Sequence, residues 1–331
     1  MKEQNNMEER NQNSRIDLTE LMESISQVRA EVKKIIVGQD STVDMLIAAV
    51  LADGHILIEG VPGIAKTLIA KIIARTISAD FSRIQFTPDL MPSDILGTSV
   101  YNMKTSEFEF NRGPVFSNII LIDEINRAPA KTQSALFEAM EERQVTVDGT
   151  TYKMDEPFTV IATQNPIEHE GTYKLPEAQL DRFIFKIEMG YPTNEEEIKI
   201  LLELHSRKNI NDLSLIQSVF TKDKLKTYRE SVRAIHLDEK VANYITQIVS
   251  RTRNNSDLYL GGSPRASISI MIGAKAFAAL SGRDFVTPDD VKMVVYPTLR
   301  HRILLTPEKE MEGNTPDDII KTILERVEVP R

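Results

Sequence analysis

The chain contains no cysteine and no apolar run long enough to span a membrane. The first absence excludes disulfides, thiolate metal sites and cysteine nucleophiles, and it agrees with a cytoplasmic protein. A membrane-spanning helix needs roughly 18 or more consecutive apolar residues, so no transmembrane segment is predicted. Basic residues are also few: 40 Lys and Arg stand against 49 Asp and Glu, giving a net charge of -9. This balance argues against a generally basic nucleic-acid-binding surface.

The remaining composition is that of a globular protein. Of the 331 residues, 41% are hydrophobic and 27% are charged, which provides ample core-forming material for one large or two ordinary domains. Residues 1–15 are mostly polar and rich in Asn, Gln and Glu. We therefore predict a disordered tail there, rather than a signal peptide or a membrane anchor.

Residues 60–67 (GVPGIAKT) follow the apolar run 56–58 and precede a segment with helical periodicity. A strand, a glycine-bearing turn and a Lys-Thr pair at a helix start form the layout of a phosphate-binding loop. Backbone N–H groups and the helix dipole attract phosphate there, Lys66 reaches the β- and γ-phosphates and Thr67 ligates magnesium. Ala65 replaces the second glycine of the pattern, and we expect it to have a helical φ that tolerates the methyl group. On the motif alone, a structural Gly/Pro turn with an incidental lysine remains an alternative.

The apolar run 119–122 leads directly into Asp123 and Glu124. A continuous apolar strand is typical of a parallel sheet buried on both faces, and ligands bind at the carboxyl ends of such strands. Asp123 can position magnesium, and Glu124 can polarise an attacking water. A strand that ends at a solvated acidic turn is the alternative. The loop and the acidic strand occur in the required order, and together they predict binding of ATP or GTP.

Further strands at about 83–86, 158–163 and 183–187 complete a predicted doubly wound parallel sheet, so the fold class is α/β. Asn165 follows the second of these strands and is expected in the same crevice, where it can orient water or contact the γ-phosphate. A turn-forming Asn-Pro is the equal alternative. A glycine turn at Gly38 precedes the first strand and can cover the adenine, although turns between helices are common.

The pattern changes after residue 192. Helices are predicted at about 194–208, 222–232, 238–251, 264–280 and 288–299, without a convincing strand. We therefore expect an α/β nucleotide-binding core over residues 16–192 and a helical lid over residues 193–331.

Five segments carry a resemblance to a known family. They are residues 60–67 (GVPGIAKT), 121–128 (LIDEINRA), 162–166 (ATQNP), 175–183 (LPEAQLDRF) and 262–266 (GSPRA). In this order they resemble the AAA+ ATPases and, within them, the MoxR family, in which alanine in the phosphate loop is usual. The similarity covers nearly everything from about residue 37 to residue 305.

The resemblance implies roles for individual residues. Asp123 and Glu124 match Walker B, Asn165 matches sensor 1, and Arg265 matches sensor 2, which would contact the γ-phosphate from the lid. The nucleotide-binding residues implied are Val37, Gly38, Gln39, Gly60, Val61, Pro62, Gly63, Ile64, Ala65, Lys66, Thr67 and Leu68. Thr67 and Asp123 would hold Mg²⁺.

AAA+ rings also complete each site with an arginine from the neighbouring subunit. Arg182, just before the last strand, is the first candidate for this arginine finger, and Arg127 is the second, with an interface salt bridge as its alternative role. Residues 87–111 and 144–157 match the helix-2 insert and the hairpin before sensor 1. In this branch of the family both elements point toward the pore of the ring and are expected to contact the client.

The resemblance implies a chaperone-like ATPase that forms a hexameric ring. Its clients would be proteins with von Willebrand A domains or proteins that receive a metal cofactor. A nucleic-acid motor is one alternative, although the acidic net charge argues against it. A nucleotide-gated scaffold with negligible turnover is another, and the intact Glu124 argues against that.

Overall fold

Five parallel strands form the central sheet of the computed structural model, which describes residues 16–61, 63–165, 173–206 and 213–330. The predicted tail at 1–15 and the loop residue Pro62 lie outside the described residues. The elements of the α/β part are, in chain order, α1 (Thr19–Lys33), α2 (Asp40–Leu51), β1 (His55–Gly60), α3 (Lys66–Thr76), β2 (Phe81–Gln85), α4 (Pro92–Leu96), β3 (Gly97–Asn102), β4 (Glu107–Arg112), β5 (Ile119–Asp123), α5 (Ala130–Glu142), β6 (Gln144–Val147), β7 (Thr150–Lys153), β8 (Thr159–Gln164), α6 (Glu177–Leu180) and β9 (Phe183–Met189).

The sheet has the strand order β2-β5-β8-β1-β9, and every neighbouring pair is parallel. Successive residues of the central strands alternate between two hydrophobic clusters on opposite faces. In β1, for example, Ile56 and Ile58 join one cluster and Leu57 joins the other. Because both faces are covered, apolar residues are required at consecutive positions. The predicted doubly wound parallel sheet is confirmed.

The second part of the chain is mainly helical. Its elements are α7 (Asn194–Ser206), α8 (Lys222–Ala234), α9 (Glu239–Arg253), β10 (Leu258–Leu260), α10 (Pro264–Leu280), α11 (Pro288–Leu299), β11 (Leu304–Leu305), α12 (Pro307–Met311) and α13 (Pro316–Arg326). The expectation that this part contains no strand is wrong, since β10 and β11 pair antiparallel. Two or three residues are too short to show the alternation by which a strand is recognised in sequence.

The helical part shares a hydrophobic core with the sheet. α10 packs against α2, and α11 packs against α10 and β9. One continuous cluster of buried residues runs from Leu18 in front of α1 to Val327 after α13. The position of the helical part relative to the sheet is therefore fixed by core packing.

Two hairpins leave the α/β part, at the segments 87–111 and 144–157 that the resemblance singled out. β3 pairs with β4, and β6 pairs with β7. The rings of Phe110 and Tyr152 stack between the two hairpins, with centroids 4.2 Å apart. At the end of the first hairpin Met103 and Phe108 are exposed by 87% and 74%. Large apolar side chains are thus presented to solvent on a supported hairpin.

Candidate nucleotide site

The phosphate loop connects the carboxyl end of β1 to the start of α3. Gly60 is required by close packing, since a Cβ at this position would lie 2.8 Å from the carbonyl oxygen of Met189. Gly63 has φ 88°, and Ala65 has φ 63° and ψ 19°. The expectation of a helical φ at Ala65 is therefore wrong. The second glycine position of this loop requires a left-handed backbone, and the alanine adopts it at a cost.

Lys66 lies at the first position of α3, and its Nζ donates to the Gly60 carbonyl oxygen (2.6 Å). Burial lowers the pKa of Lys66, while the carboxylates of Asp123, Glu124 and Glu59 act in the opposite direction. The lysine is thus half-buried among acids at the mouth of the loop. A bound polyphosphate would bring further negative charge to this ammonium group, which favours its charged form.

The other loop residues surround this lysine. Val61 precedes the turn, and Thr67 stands next to Lys66 in the first turn of α3. Ile64 and Leu68 are partly buried against the larger hydrophobic cluster. The side chains of these two residues anchor the loop to the core. The first backbone N–H groups of a helix have no acceptor within the helix, so those at the start of α3 can bind an anion.

Asp123 ends β5 beside the loop and is 8% exposed. Its carboxylate accepts from Arg83 Nε (2.6 Å) and from the hydroxyl of Thr163 (3.2 Å). The same Thr163 oxygen accepts from the backbone N–H of Glu124 (3.1 Å). Thr163 therefore joins the ends of β5 and β8, a role that sequence reasoning missed although the residue lies two positions before Asn165.

Glu124 leaves the strand with a left-handed backbone (φ 58°, ψ 53°). Its Oε2 accepts from Gln85 Nε2 (3.0 Å) and pairs with Arg127 Nε (3.2 Å). Arg127 consequently contacts the acidic residue of its own chain. Gln85 was also missed, and the signal for it was a polar residue at the carboxyl end of the strand next to β5.

Asn165 directly follows β8, whose last residue, Gln164, is in register with Glu59 of β1. The predicted sensor 1 residue thus lies at the same edge of the sheet as the phosphate loop. The structure brings together at this edge Lys66, Asp123, Glu124 and Asn165, as the order of strand ends predicts.

The segment around Gly38 lies where the chain leaves β9. Val37 precedes two left-handed residues, Gly38 (φ 69°) and Gln39 (φ 59°). The carboxylate of Glu196, in the first turn of α7, lies against Gly38, so that a side chain at position 38 would require this carboxylate to move. Glu196 was not singled out from the sequence. β9, which precedes α7 in the chain, ends beside Gly60.

The donors predicted for magnesium are hard oxygen atoms, the hydroxyl of Thr67 and the carboxylate of Asp123. Both lie at the carboxyl edge of the sheet, on α3 and β5. Oxygen ligands from one or two protein side chains, completed by phosphate and water, are what Mg²⁺ prefers. The residues therefore fit this ion.

The remaining two predicted residues, Arg182 and Arg265, lie together elsewhere. Both guanidinium groups pair with Glu141 at the end of α5, Arg182 at 2.5 Å and Arg265 at 2.9 Å. The Arg182 guanidinium also lies 5.7 Å from the centre of the Phe137 ring. The structure thus gathers the sensor 2 candidate and the first finger candidate around a single carboxylate.

This arginine pair, Arg182 and Arg265, lies at the amino-end edge of the sheet. His55, the first residue of β1, is in register with Phe183, which directly follows Arg182. The Nε2 of His55 also faces the Met140 carbonyl oxygen (3.3 Å), which fixes the end of α5 at this edge. The phosphate loop starts at the other end of β1, five residue steps or about 17 Å away. In this arrangement Arg265 cannot contact a phosphate held by its own chain's loop.

Comparisons with known proteins agree with this fold and this loop. The model of the ATPase family associated with various cellular activities (AAA) matches residues 55–185, and the model of the AAA lid domain matches residues 250–323. The parallel sheet, the phosphate loop and the helical lid therefore define an AAA+ ATPase. Among the described ranges, no helix combines the length and the apolar composition that crossing a membrane requires.

Individual relatives narrow the family. The chaperone MoxR1 of Mycobacterium tuberculosis is 45% identical, over 91% of this chain and 81% of its own length. YeaC of Bacillus subtilis is 47% identical, over 90% and 92%. A crystal structure from Cytophaga hutchinsonii, 44% identical, superposes with a TM-score of 0.86 over 94% of this chain and 96% of its own. The chain belongs to the MoxR family of AAA+ ATPases, which confirms the resemblance.

Proposed function

We propose that the protein binds ATP with Mg²⁺ at the phosphate loop, hydrolyses it, and uses the cycle to remodel or mature client proteins. The observation that supports this most strongly is the division of the catalytic groups between two edges of one sheet. The loop and the acidic residues occupy the carboxyl edge, and the arginine pair occupies the amino edge about 17 Å away. One chain thus carries two halves of a site that only a second copy can bring together.

At the carboxyl edge each side chain has a definite task. Lys66 and the backbone N–H groups of the loop bind the phosphates. Thr67 and Asp123 would hold Mg²⁺, which when bound neutralises charge on the phosphate oxygens. Glu124 accepts a proton from the attacking water, and Asn165 orients that water. Gln85 and Arg127 hold the Glu124 carboxylate, so this carboxylate must be released before it can act as a base.

At the amino edge the arginine pair supplies cations to the γ-phosphate of a neighbouring subunit. Developing negative charge in the transition state is stabilised by positive groups already in position, and arginine fingers contribute orders of magnitude in rate. Arg182 is the finger in this proposal, and Arg265 acts beside it rather than in its own subunit. Because Glu141 holds both arginines, a neighbour's nucleotide must displace this carboxylate.

Such complementary halves favour a closed ring, and we propose a hexamer in the cytoplasm. The client would contact the two hairpins, the first of which exposes Met103 and Phe108. The relative named chaperone MoxR1 supports a protein client, and we propose one with a von Willebrand A domain or a metal cofactor. We also propose the division at residues 192 and 193, since the two matched family regions lie on either side of it.

The proposal is tested by the ATPase rate per subunit as a function of protein concentration, with the oligomeric mass followed in parallel. The rate per subunit should rise as oligomers form. Lys66→Ala should abolish ATP binding, whereas Glu124→Gln should retain binding and lose hydrolysis. A constant rate from a monomer would contradict a shared site, and parental turnover by Glu124→Gln would remove this residue from catalysis.

A further inference from the structure

The backbone on both sides of Arg182 is held by a buried arginine from the lid. Arg302 follows α11, and 6% of it is exposed. One of its terminal nitrogens, Nη2, donates to the carbonyl oxygens of Asp181 (2.9 Å) and Phe183 (2.7 Å). These are the residues immediately before and after the proposed finger. The position of the Arg182 backbone is therefore set by a residue 120 positions further along the chain, inside the lid.

The Asp181 side chain extends this contact to the second arginine. Its Oδ1 accepts from Arg302 Nε (2.6 Å), and its Oδ2 accepts from the hydroxyl of Ser263 (3.1 Å). Ser263 caps α10, accepting from the backbone N–H of Arg265. The carboxylate of Asp181 thus connects the backbone beside Arg182 to the first turn of the helix that carries Arg265.

The lid also fixes the guanidinium of Arg302 itself. Nη1 donates to the Thr298 carbonyl oxygen (2.6 Å), and Nη2 donates further to the hydroxyl of Ser269 on α10 (3.1 Å). Arg302 therefore bonds simultaneously to α10, to the end of α11 and to the backbone at the start of β9. Such a fork of charge-assisted bonds has little freedom to shift, unlike a single ion pair at the surface.

We infer that Arg302 and Asp181 are positioning residues that hold Arg182 and Arg265 as one unit for delivery to the neighbouring subunit's nucleotide. The inference rests on the proposed function. Charge stabilisation at a transition state depends on position, and a displacement of about 1 Å can cost on the order of 100-fold in rate. A buried ion pair that only fastens the lid to the sheet would affect stability and leave the rate of the assembled enzyme unchanged.

The decisive variant is Arg302→Lys, which keeps the positive charge but cannot make the fork of hydrogen bonds. In the assembled oligomer we expect kcat to fall by about tenfold or more, while the affinity of the subunit's own loop for a fluorescent ATP analogue stays at the parental value. Arg300→Lys is the matched control. Arg300 is also largely buried and bonded to an acid, Asp317 (2.7 Å), but its guanidinium makes no hydrogen bond to the backbone of residues 181–183. It should keep parental kcat.

Mixed oligomers assign the defect to one side of the interface. Glu124→Gln subunits have intact arginines and an inactive loop site, whereas Arg302→Lys subunits have the reverse. Their mixture should regain ATPase activity, because some interfaces then combine an intact arginine pair with an intact loop. A mixture of Arg302→Lys with Arg182→Ala should show no such gain over the Arg302→Lys oligomer alone, since neither subunit supplies a correctly placed finger.

Several outcomes would overturn the inference. The first is a parental kcat in the assembled Arg302→Lys protein. The second is a mixture of Glu124→Gln with Arg302→Lys that regains no activity, although a mixture of Glu124→Gln with Arg182→Ala does. If the mixture of Glu124→Gln with Arg182→Ala regains no activity either, the result contradicts the shared site of the proposed function instead. Should Arg302→Lys not assemble, Asp181→Asn decides. It keeps the side-chain shape and removes the charge that joins Arg302 to Ser263, and parental kcat in this variant refutes the inference.

Discussion

Replacing Ala65 with glycine should stabilise the protein, although the same change inside a helix is destabilising. Ala65 adopts φ 63° and ψ 19°, and its side chain is exposed, so the substitution sacrifices no packing. The left-handed backbone costs a residue with a Cβ about 1–2 kcal/mol. Glycine avoids this cost but loses about 0.5–1 kcal/mol through the greater freedom of the unfolded chain. The expected net gain in the free energy of unfolding is roughly 0.5–1 kcal/mol.

Ala70 provides the matched control in α3. It is fully buried within the helix, so Ala70→Gly loses helix propensity of about 1 kcal/mol and a buried methyl group worth about 0.8 kcal/mol. The two variants remove the same atoms five residues apart, yet their effects should have opposite signs. The difference between them should be about 2–3 kcal/mol.

The assay is urea unfolding of both variants and the parent without nucleotide, because a ligand that binds the folded state would add its own stability. The midpoint should rise for Ala65→Gly and fall for Ala70→Gly at an unchanged slope. A destabilised Ala65→Gly protein would mean that the phosphate loop does not require a left-handed residue before Lys66.

Two further predictions concern the amino-end edge of the sheet. Arg182 and Arg265 must break their ion pairs with Glu141 before they can contact a neighbouring subunit, and partly exposed pairs of this kind are worth about 0.2–1 kcal/mol. Glu141→Gln removes this cost. It should therefore lower, by about two- to fivefold, the protein concentration at which the ATPase rate per subunit is half-maximal. Glu138→Gln, one turn earlier and without an ion pair to the described residues, should leave it unchanged, and a higher value for Glu141→Gln would contradict the exchange. His55 accepts from the Val160 backbone N–H at Nδ1 (3.0 Å), and burial is the main cause that lowers its pKa from 6.5 to about 4. As the pH falls, the unfolded chain therefore protonates His55 before the folded chain does. The contribution of His55 to the free energy of unfolding is full above pH 6.5 and declines by up to about 3 kcal/mol toward pH 4. His55→Gln should flatten this decline when it is measured by urea unfolding, and an equally steep profile would exclude His55 as its source.

Residues that act next to one another along the chain could be assigned from the sequence. The strand, glycine turn and Lys66-Thr67 pair occupy consecutive positions, and Asp123-Glu124 ends an uninterrupted apolar strand. Because all five strands are parallel, their carboxyl ends meet at one edge wherever the strands lie in the sheet. The α/β fold and the grouping of Lys66, Asp123 and Asn165 therefore followed from local pattern alone.

The tertiary structure decided what depends on distant contacts. Arg265 and Glu141 are 124 residues apart, and only the packing of α10 and α11 on the sheet brings them together. The same packing places Arg302 against the backbone on both sides of Arg182, where no motif marks it. The contacts of Thr163 with Asp123 and of Gln85 with Glu124 depend on the register between neighbouring parallel strands, which the hydrophobic pattern does not specify. Local sequence thus determined where the predicted phosphate-binding residues meet, and lid packing placed Arg265 beside Arg182 at the opposite edge of the sheet, because side chains far apart in sequence are placed by the core they share.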